Sequence, residues 1–188
     1  DIATLKESDW RNQKLKEVAS LVEGAAGLYM EATTQQAYAV QGDSMKVFLQ
    51  AINRSGSRIR LIKSSLDYAD TILDRELKPN QNLIFAKAIL VPESKINSQP
   101  YWLNEEMKQG SFEVSDQRLI GMPENKPAFD ARFVLDVEGV TITYQKPVLY
   151  KHTDPVKGEL FDPVMVIPPV SVNTSPAVIV LKKGQTAS

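Results

Sequence analysis

The sequence contains no cysteine, only one histidine, and no long uninterrupted apolar run. The lack of cysteine excludes disulfides, thiolate metal ligands and thiol nucleophiles. With His152 alone, zinc sites built from several histidines are also excluded, and a mixed site would draw its other ligands from carboxylates. No apolar stretch approaches the roughly 20 residues that a membrane-spanning helix requires. We therefore predict no membrane span, and no metal or cofactor site in this chain.

An excess of charge of one sign is also missing. The 188 residues carry 22 basic and 23 acidic side chains, which give a formal net charge of -1, with no long run of either sign. A positive field able to hold nucleic-acid phosphates is therefore not expected. Glycine-rich phosphate loops and the G-x-S-x-G nucleophile elbow are absent as well. We predict no nucleic-acid partner.

The length suits one domain with an appendage, or two small domains. The chain opens with DIATLKESDW, which has neither an initiator Met nor the pattern of a signal peptide. We interpret the chain as an excised or processed piece of a longer protein.

One helical pattern stands at the start of the chain. From Ser8 to Tyr29 apolar residues recur every three or four positions, which predicts an amphipathic helix with Ser8 or Asp9 as N-cap and Gly27 near its end. The apolar stripe consists of Leu15, Val18, Ala19, Val22, Ala25, Ala26 and Tyr29. We predict that residues 1–30 form an N-terminal connector helix.

The rest of the chain shows the period-two alternation of β-strands. The predicted strands are 44–53, 59–66, 71–77, 83–91, and a hairpin of 129–137 with 140–145 around the turn Glu138-Gly139. Because no helices separate them, we predict a mostly β fold, an antiparallel immunoglobulin-like β-sandwich over residues 31–173. Residues 174–188 are predicted to begin a further β segment.

The stretch Pro147 to Val170 is rich in proline and contains His152. Proline withholds a backbone donor, so the pattern predicts the last strands of the sandwich, at its edges. His152 and Asp154 lie two apart on a strand and cannot orient one another as in a catalytic triad. We predict that His152 is a polar residue at a strand end or turn.

Paired acids occur at Glu105-Glu106 and at Glu159 with Asp162. Two carboxylates could serve a glycosidase, but such pairs are also frequent on solvated faces. The pair Glu105-Glu106 is expected to open a short helical turn. We predict no catalytic residue in this chain.

Residues 93–127 are predicted to form a long loop, and connections of this length are usually functional or partly disordered. Within the loop, Tyr101 and Trp102 are the candidate contact for a ligand or partner. An exposed pair could stack on a sugar or anchor a protein partner. The alternative is that Trp102 plugs the end of the sandwich, since large aromatic side chains are buried on average.

Three segments of the sequence together resemble one protein family. They are SMKVFLQAINRSG at 44–56, QPYWL at 99–103 with LIGMPEN at 119–125, and PVLYKHTDPVKGE at 147–159 with VIPPV at 166–170. They resemble the region that follows the catalytic domain in large LmbE-like (PIG-L family) deacetylases of Bacteroidetes. The resemblance extends from the helix around Trp10 to about Val172, and QPYWL and DPVKGE are its specific parts.

The resemblance implies a periplasmic or extracellular protein whose zinc-dependent catalytic domain removes acetyl groups from an N-acetylglucosamine-type sugar. The metal motif of the family, which resembles HPDD with a later HxxH, has no counterpart here, so none of its ligands is carried over. The chain is then expected to be a non-catalytic accessory or structural β-sandwich module, with the catalytic domain of the same polypeptide as its partner. The alternative is a carbohydrate-binding module that binds a glycan with Tyr101 and Trp102.

Overall fold

The computed structural model describes residues 4–67 and 69–172, together with residues 175, 180 and 182–183. This part of the chain is mostly β, with one long helix near its start. The elements are α1 (Asp9–Ala25), β1 (Leu28–Thr34), β2 (Tyr38–Val40), β3 (Ser44–Asn53), β4 (Ile59–Leu66), β5 (Ala69–Glu76), β6 (Asn82–Leu90), β7 (Asp130–Val137), β8 (Val140–Asp154), β9 (Gly158–Pro163) and β10 (Met165–Ile167).

The strands form one curled sheet and a separate two-stranded ladder. The order in the curled sheet is β5-β4-β7-β8-β1-β3-β6, and β9 also pairs with β8. All of these pairs are antiparallel except β1 with β8, which is parallel. The second ladder, β10 with β2, is parallel too. The sheet is therefore mixed, and the predicted antiparallel immunoglobulin-like sandwich is not confirmed, because β1 pairs with β8 and β2 pairs with β10 in parallel.

The long strand β8 belongs to both halves of the curled sheet. Its residues 140–147 pair with β7, whereas residues 148–150 pair with β1 and residues 149–154 with β9. The change of partner falls at Pro147, and the next amide, of Val148, donates to the carbonyl of Phe129 at 2.9 Å. Proline has no N–H to donate to a neighbouring strand. It is therefore tolerated where a strand changes from one partner to another.

A single apolar core lies inside the curl. Alternate residues of β3 and β7 point into it, as expected for strands with one wet face. Its largest fully buried side chains include Phe129, Phe133, Met45, Leu49, Ile59, Leu61 and Leu135. The core also takes residues from β1, β8 and β10, so both halves of the sheet share it.

The helix α1 ends earlier than predicted. It begins after Ser8, whose hydroxyl accepts from the Arg11 amide at 3.2 Å, and it ends at Ala25. Gly27 then adopts a positive φ of 56°, and a Cβ there would lie 3.1 Å from the Cβ of Arg54. Glycine is suited to this turn because it has no side chain to clash. Tyr29, predicted as the last helical residue, is the second residue of β1.

The helix rests on β8 through two polar contacts. The Tyr144 hydroxyl donates to the carbonyl of Ala19 at 3.2 Å, and the Lys146 ammonium lies 2.6 Å from the Glu23 carboxylate. No residue of α1 is fully buried. None of the helices in the described residues is long and apolar enough to cross a bilayer.

Several strand bounds differ from their predictions. The bounds of β3 and β4 match, and those of β5 and β6 differ by one or two residues. β8 continues past the predicted end at 145, and β1 and β2 were not predicted. β1 begins at Leu28, so the predicted boundary at residue 30 falls inside a strand. The predicted segment 174–188 lies largely outside the described residues.

Candidate functional site

Hydrogen bonds attach the first part of the long loop 93–127 to the strands. The Ser98 amide donates to the Val166 carbonyl at 2.9 Å, and the Val166 amide donates to the Ser98 hydroxyl at 2.9 Å. The Gln41 side-chain amide donates to the Lys95 carbonyl at 2.5 Å. These bonds connect the loop to β10 and to the end of β2. The loop is therefore attached to the core although it contains no strand of its own.

Asn125 joins the two ends of the loop. Its side-chain oxygen accepts from the Tyr101 amide at 3.0 Å, and its side-chain nitrogen donates to the Gln99 carbonyl at 2.5 Å. The Gln99 side-chain nitrogen in turn donates to the Asn104 side-chain oxygen at 3.0 Å. The segments QPYWL and LIGMPEN, which carry part of the family resemblance, are thus held against each other.

Tyr101 and Trp102 lie in a short 3-10 turn, Tyr101–Leu103. Their ring centroids are 4.9 Å apart and their planes are inclined by 87°, an edge-to-face arrangement. Trp102 is 36 % exposed, so its ring is not enclosed in the end of the sheet. Because the rings are nearly perpendicular, they do not form one flat platform. At most one of them can stack on a given planar ligand.

A cleft of about 470 Å³ opens beside this aromatic pair. Side-chain amides, a hydroxyl and three charged groups make up its polar lining. These are Asn97, Ser98, Gln99, Asn104, Asn125, Lys95, Asp116 and Lys126, with Tyr101 and Leu119 among the other contacts. Hydrogen-bonding groups of both kinds around a partly aromatic wall suit a polar ligand.

Asp116 stays ionised at the edge of this cleft. Its carboxylate accepts from the Arg118 guanidinium at 2.8 Å and from the Arg118 amide at 3.1 Å. These two bonds lower the pKa of Asp116 to about 2, and the bond from the guanidinium has the larger effect. A carboxylate with so low a pKa is a poor proton acceptor near neutral pH and cannot act as a general acid there.

The loop also exposes large apolar side chains. They are Ile96, Trp102, Leu103, Met107, Phe112, Ile120 and Met122, with exposed fractions from 36 % to 81 %. Single exposed apolar residues are ordinary, but a concentration of them on one segment is typical of a contact surface. This set is called the loop surface below.

The acid pair Glu105-Glu106 was predicted to open a short helical turn, but it does not. It follows the turn Tyr101–Leu103 instead, since that turn is capped at Asn104. The Glu105 carboxylate accepts a hydrogen bond from the Ser115 hydroxyl across the loop. Glu105 therefore contributes to the fold of the loop.

His152 lies within β8, paired with Leu160 of β9. Its ring stacks on Tyr150 at 4.7 Å between centroids, and its Nδ1 is 3.6 Å from the Asp162 carboxylate. The Asp154 carboxylate is occupied elsewhere, because it accepts from the amides of Val156 and Lys157 in the β8–β9 turn. These backbone bonds lower the pKa of Asp154. The Asp154 carboxylate therefore does not orient the His152 imidazole. This agrees with what the spacing of the two residues predicted.

A zinc centre of the deacetylase type requires three protein ligands and an open position. Among the residues that the structure describes, no three His, Asp or Glu side chains are placed to hold a metal ion. Within the part of the chain that the structure describes, the Asp162 carboxylate is the one acid within 4 Å of the His152 imidazole. The donor set around His152 does not fit that centre, and no zinc-dependent step is assigned to this chain.

A second polar cluster, on the outer face of β1, β8 and β9, was missed by the sequence analysis. The Tyr29 hydroxyl donates to the Glu31 carboxylate, and the Lys151 ammonium lies 3.4 Å from Glu31 and 3.3 Å from Glu159. The same ammonium is 5.1 Å from the centre of the Phe161 ring. The cluster depends on the parallel pairing of β1 with β8, which no local pattern reveals. The only sequence signal for this cluster was the partial alternation of apolar and polar residues in 28–34.

The hydrogen bonds within this cluster shift two pKa values. The bond to Glu31, together with burial, raises the pKa of Tyr29 to about 12. Burial would lower the pKa of Lys151, but its bonds to the carboxylates of Glu159 and Glu31 outweigh burial and raise it. The lysine therefore stays charged near neutral pH and is not an activated nucleophile.

Comparison with known proteins adds no assignment to these sites. No protein-family model matches the chain. No curated protein matches it significantly either.

Proposed function

We propose that this chain is a non-catalytic interaction module, the accessory region of a secreted, zinc-dependent LmbE-like deacetylase. In this proposal the loop surface binds the catalytic domain of the same polypeptide and positions it or extends its substrate surface. The module itself holds no cofactor and performs no chemistry. The identity of the larger protein rests on the sequence resemblance carried by residues 44–56, 99–103, 119–125, 147–159 and 166–170.

The strand order supports an immunoglobulin-like sandwich as the scaffold. The run β6-β3-β1 has the order of strands E, B and A in an immunoglobulin domain, and β5-β4-β7-β8 has the order of C′, C, F and G. In that comparison β8 is the strand G that also pairs in parallel with the first strand. Such sandwiches carry their binding surfaces on connecting loops.

The observation that carries the proposal is the combination of anchoring and exposure in the loop 93–127. Ser98 and Asn125 fix its backbone, yet Met107 and Phe112 keep more than half of their surface in water. A loop that only closed the sandwich would turn such side chains inward, since apolar exposure is unfavourable. An anchored loop with apolar side chains facing outward is what a docking surface requires.

Binding to a purified LmbE-like catalytic domain, measured by calorimetry, tests the proposal. We expect Phe112→Asp to weaken that binding by about tenfold or more, because a charge replaces an aromatic contact. Ile72→Asp is the matched control, since Ile72 is 81 % exposed on β5, outside the loop. Equal losses from both substitutions, or no binding by the unsubstituted chain, would contradict the proposal.

Catalysis by the chain alone is a separate test. Incubated with zinc and an N-acetylglucosamine oligosaccharide, the chain is expected to release no acetate above the buffer rate. Measurable turnover that disappears with a chelator would overturn the assignment as a non-catalytic module.

Carbohydrate binding is the second candidate function, and the amide-lined cleft beside Tyr101 is the observation that favours it. Calorimetric titration with soluble oligosaccharides should then show binding that Tyr101→Ala abolishes, because Tyr101 lines the cleft. Tyr38→Ala is the control, because Tyr38 is another tyrosine and is 59 % exposed on β2, outside the loop. A flat titration for the unsubstituted chain would remove this candidate.

A further inference from the structure

The strands β5 and β6 follow one another in the chain but do not pair. They lie at opposite ends of the curled sheet, where β5 pairs with β4 and β6 pairs with β3. Strands that follow one another along a chain are usually neighbours in a sheet. Here the curl brings the two ends of the sheet toward each other, and residues 77–81 pass from one end to the other. The line along which β5 faces β6 is called the seam below.

Buried hydrogen bonds close the seam at the connection 77–81. The Leu77 amide donates to the Ile59 carbonyl of β4 at 2.9 Å, and the Leu77 carbonyl accepts from the Asn53 side chain of β3 at 3.0 Å. The Asn80 amide also donates to the Asn53 carbonyl, at 2.7 Å. Leu77 and Asn53 have almost no exposed surface. This end of the seam is therefore fixed to both halves of the sheet.

Lys87 closes the other end of the seam. It pairs with Val47 of β3, whose side chain points into the core, so Lys87 lies on the inner face of β6. Its ammonium donates to the Asp70 carbonyl at 2.5 Å and to the Thr71 hydroxyl at 2.9 Å. Within the residues that the structure describes, these two are the hydrogen bonds that join β5 to β6. The Asp70 carboxylate takes no part in them, because it is paired with Lys63 at 2.7 Å.

Apolar side chains between the two ends of the seam are incompletely covered. Leu73 of β5 and Leu83 and Phe85 of β6 pack against the core, yet they are only partly buried. In contrast, Leu49 on the neighbouring strand β3 is 1 % exposed. Neither the ladder of β5 with β4 nor that of β6 with β3 joins the two strands to each other. The cover of the core along the seam therefore depends on side-chain contacts.

The backbone of β5 is also irregular on the side away from the seam. Its ladder with β4 has a register shift between Leu61 and Lys63, and Asp74 has a positive φ of 41°. A shift of this kind disrupts the regular ladder of hydrogen bonds locally. Elements with few buried contacts and an interrupted ladder open at a lower free energy than the strands of a core. β5 is therefore the strand of this sheet that is most easily displaced.

We propose that Lys87 is a latch that holds the Asp70 end of β5 against β6, and that β5 moves away from β6 at this end when the latch is released. The fixed connection at Leu77 is the hinge of this movement. Bonds from an ammonium are charge-assisted, so they stabilise the closed form. Because Lys87 is partly exposed, water can solvate the ammonium when the bonds break. The open form exposes the partly buried apolar side chains of the seam, and their burial favours closure.

The absence of cysteine allows a test with a single introduced thiol. Leu83→Cys places that thiol on the inner face of β6, so its rate of alkylation measures how often the seam opens. We expect Lys87→Met to raise this rate by about tenfold or more, because it removes the ammonium and keeps an unbranched apolar side chain. Lys87→Arg retains a charged donor and should leave the rate within about twofold of its original value.

Two controls address the position of the thiol and the loss of a charge. Ile84→Cys lies on the outer face of β6, where Ile84 is 56 % exposed, and its thiol should react at the same rate whether or not Lys87→Met is present. Lys46→Met removes an ammonium from the outer face of β3 and should not change the rate at Leu83→Cys. A rate at Leu83→Cys that Lys87→Met does not raise, or that Lys46→Met raises equally, would overturn the proposal.

A thiol in the centre of the core separates opening of the seam from unfolding of the whole chain. Leu135 of β7 has no exposed surface, so the thiol of Leu135→Cys reacts only when the sheet unfolds. Lys87→Met should therefore raise the alkylation rate of Leu83→Cys much more than that of Leu135→Cys. Equal increases at the two positions would overturn the latch, because Lys87 would then stabilise the fold as a whole.

Discussion

Asn53 is a fully buried polar side chain at the end of β3. It has no exposed surface, and its amide nitrogen donates to the Ser57 carbonyl at 2.7 Å and to the Leu77 carbonyl at 3.0 Å. Its oxygen accepts from the Ser55 amide at 3.2 Å. A buried polar group is tolerated when its hydrogen bonds are all made. Asn53 thereby connects the end of β3 to the loop before β6.

Replacing Asn53 by alanine should destabilise the protein strongly. Two carbonyls would lose their partners inside the protein, which costs about 2–3 kcal/mol in the free energy of unfolding. Urea denaturation followed by circular dichroism measures this loss. Asn12→Ala, on the exposed face of α1, is the control and should change the free energy by less than about 0.5 kcal/mol. Similar effects of the two substitutions would contradict this account of Asn53.

The ionisation of Tyr29 makes the stability of the folded protein depend on pH in the alkaline range. Its pKa is raised from 10.0 to about 12 because its hydroxyl donates to the Glu31 carboxylate. The neutral phenol is thus favoured in the folded state, so its contribution is complete below pH 10 and is lost as the pH rises from about 10 to about 12. Absorbance titration should detect Tyr29 among the tyrosines that ionise late, together with Tyr144, whose pKa is raised by burial.

Glu31→Gln tests the cause of this shift. The substitution removes the negative charge beside the phenol and should return the pKa of Tyr29 toward its ordinary value. The alkaline loss of stability should then shrink. Glu159→Gln, which changes the far side of the Lys151 ammonium, should affect the titration much less. An unchanged titration in Glu31→Gln would show that burial, and not the carboxylate, sets the pKa.

Individual contacts of this kind could not be predicted from the sequence. The pairing of Tyr29 with Glu31 follows from strand geometry once β1 is known, but that of Lys151 with Glu31 needs two strands separated by more than a hundred residues. Asn53 falls on the inward side of its strand, so alternation alone suggests burial. Its partners across the turn are not visible in any local pattern.

At the scale of elements, the hairpin of β7 and β8 shows what local sequence determines. Phe133, Leu135 and Val137 alternate with polar residues, and the turn pair Glu138-Gly139 has positive φ values of 51° and 87°. Both signals are local, so the hairpin could be predicted. β1 could not, because its buried residues do not alternate cleanly and it follows directly on a helical pattern.

Two glycines provide a matched test of backbone strain. Gly139 has a positive φ of 87°, and Gly24 lies within α1, yet a Cβ would meet no atom within 4 Å at either position. Gly139→Ala should therefore lose about 1–2 kcal/mol of stability from backbone conformation alone. Gly24→Ala should gain about 0.5–1 kcal/mol, because alanine favours the helix.

Thermal denaturation monitored by circular dichroism compares the two variants directly. The expected midpoints lie on opposite sides of that of the unsubstituted protein. A loss of stability in Gly24→Ala would indicate that α1 is held in some way other than an ordinary helix. No loss in Gly139→Ala would indicate that the turn can relax to another type.

At the scale of the whole molecule, the shared core predicts a single unfolding transition. Both halves of the curled sheet contribute to one apolar cluster, and β8 runs through both. Such an arrangement unfolds as one cooperative unit. Tryptophan fluorescence and far-ultraviolet circular dichroism should give coincident curves in urea. Two separated transitions would mean that the halves of the sheet are independent.

The class of the fold was predictable, but its connectivity was not. Composition and alternation indicate a mostly β protein with one helix, and the described residues have that character. The mixed direction of the sheet arises where β1 meets β8 and where β2 meets β10, pairs whose members lie far apart in the sequence. The loop 93–127 could be predicted as a long connection, whereas the hydrogen bonds by which Asn125 fixes its backbone could not.

The two parallel ladders also determine how the protein would respond to force. In each of them an early strand lies beside a late one and runs in the same direction, β1 beside β8 and β2 beside β10. A force that pulls the early and late parts of the chain apart loads all hydrogen bonds of such a ladder together, in shear, whereas an antiparallel hairpin opens one bond at a time. Stretching of single molecules should therefore show one abrupt, high-force rupture. A domain built in this way resists tension applied between its early and its late strands.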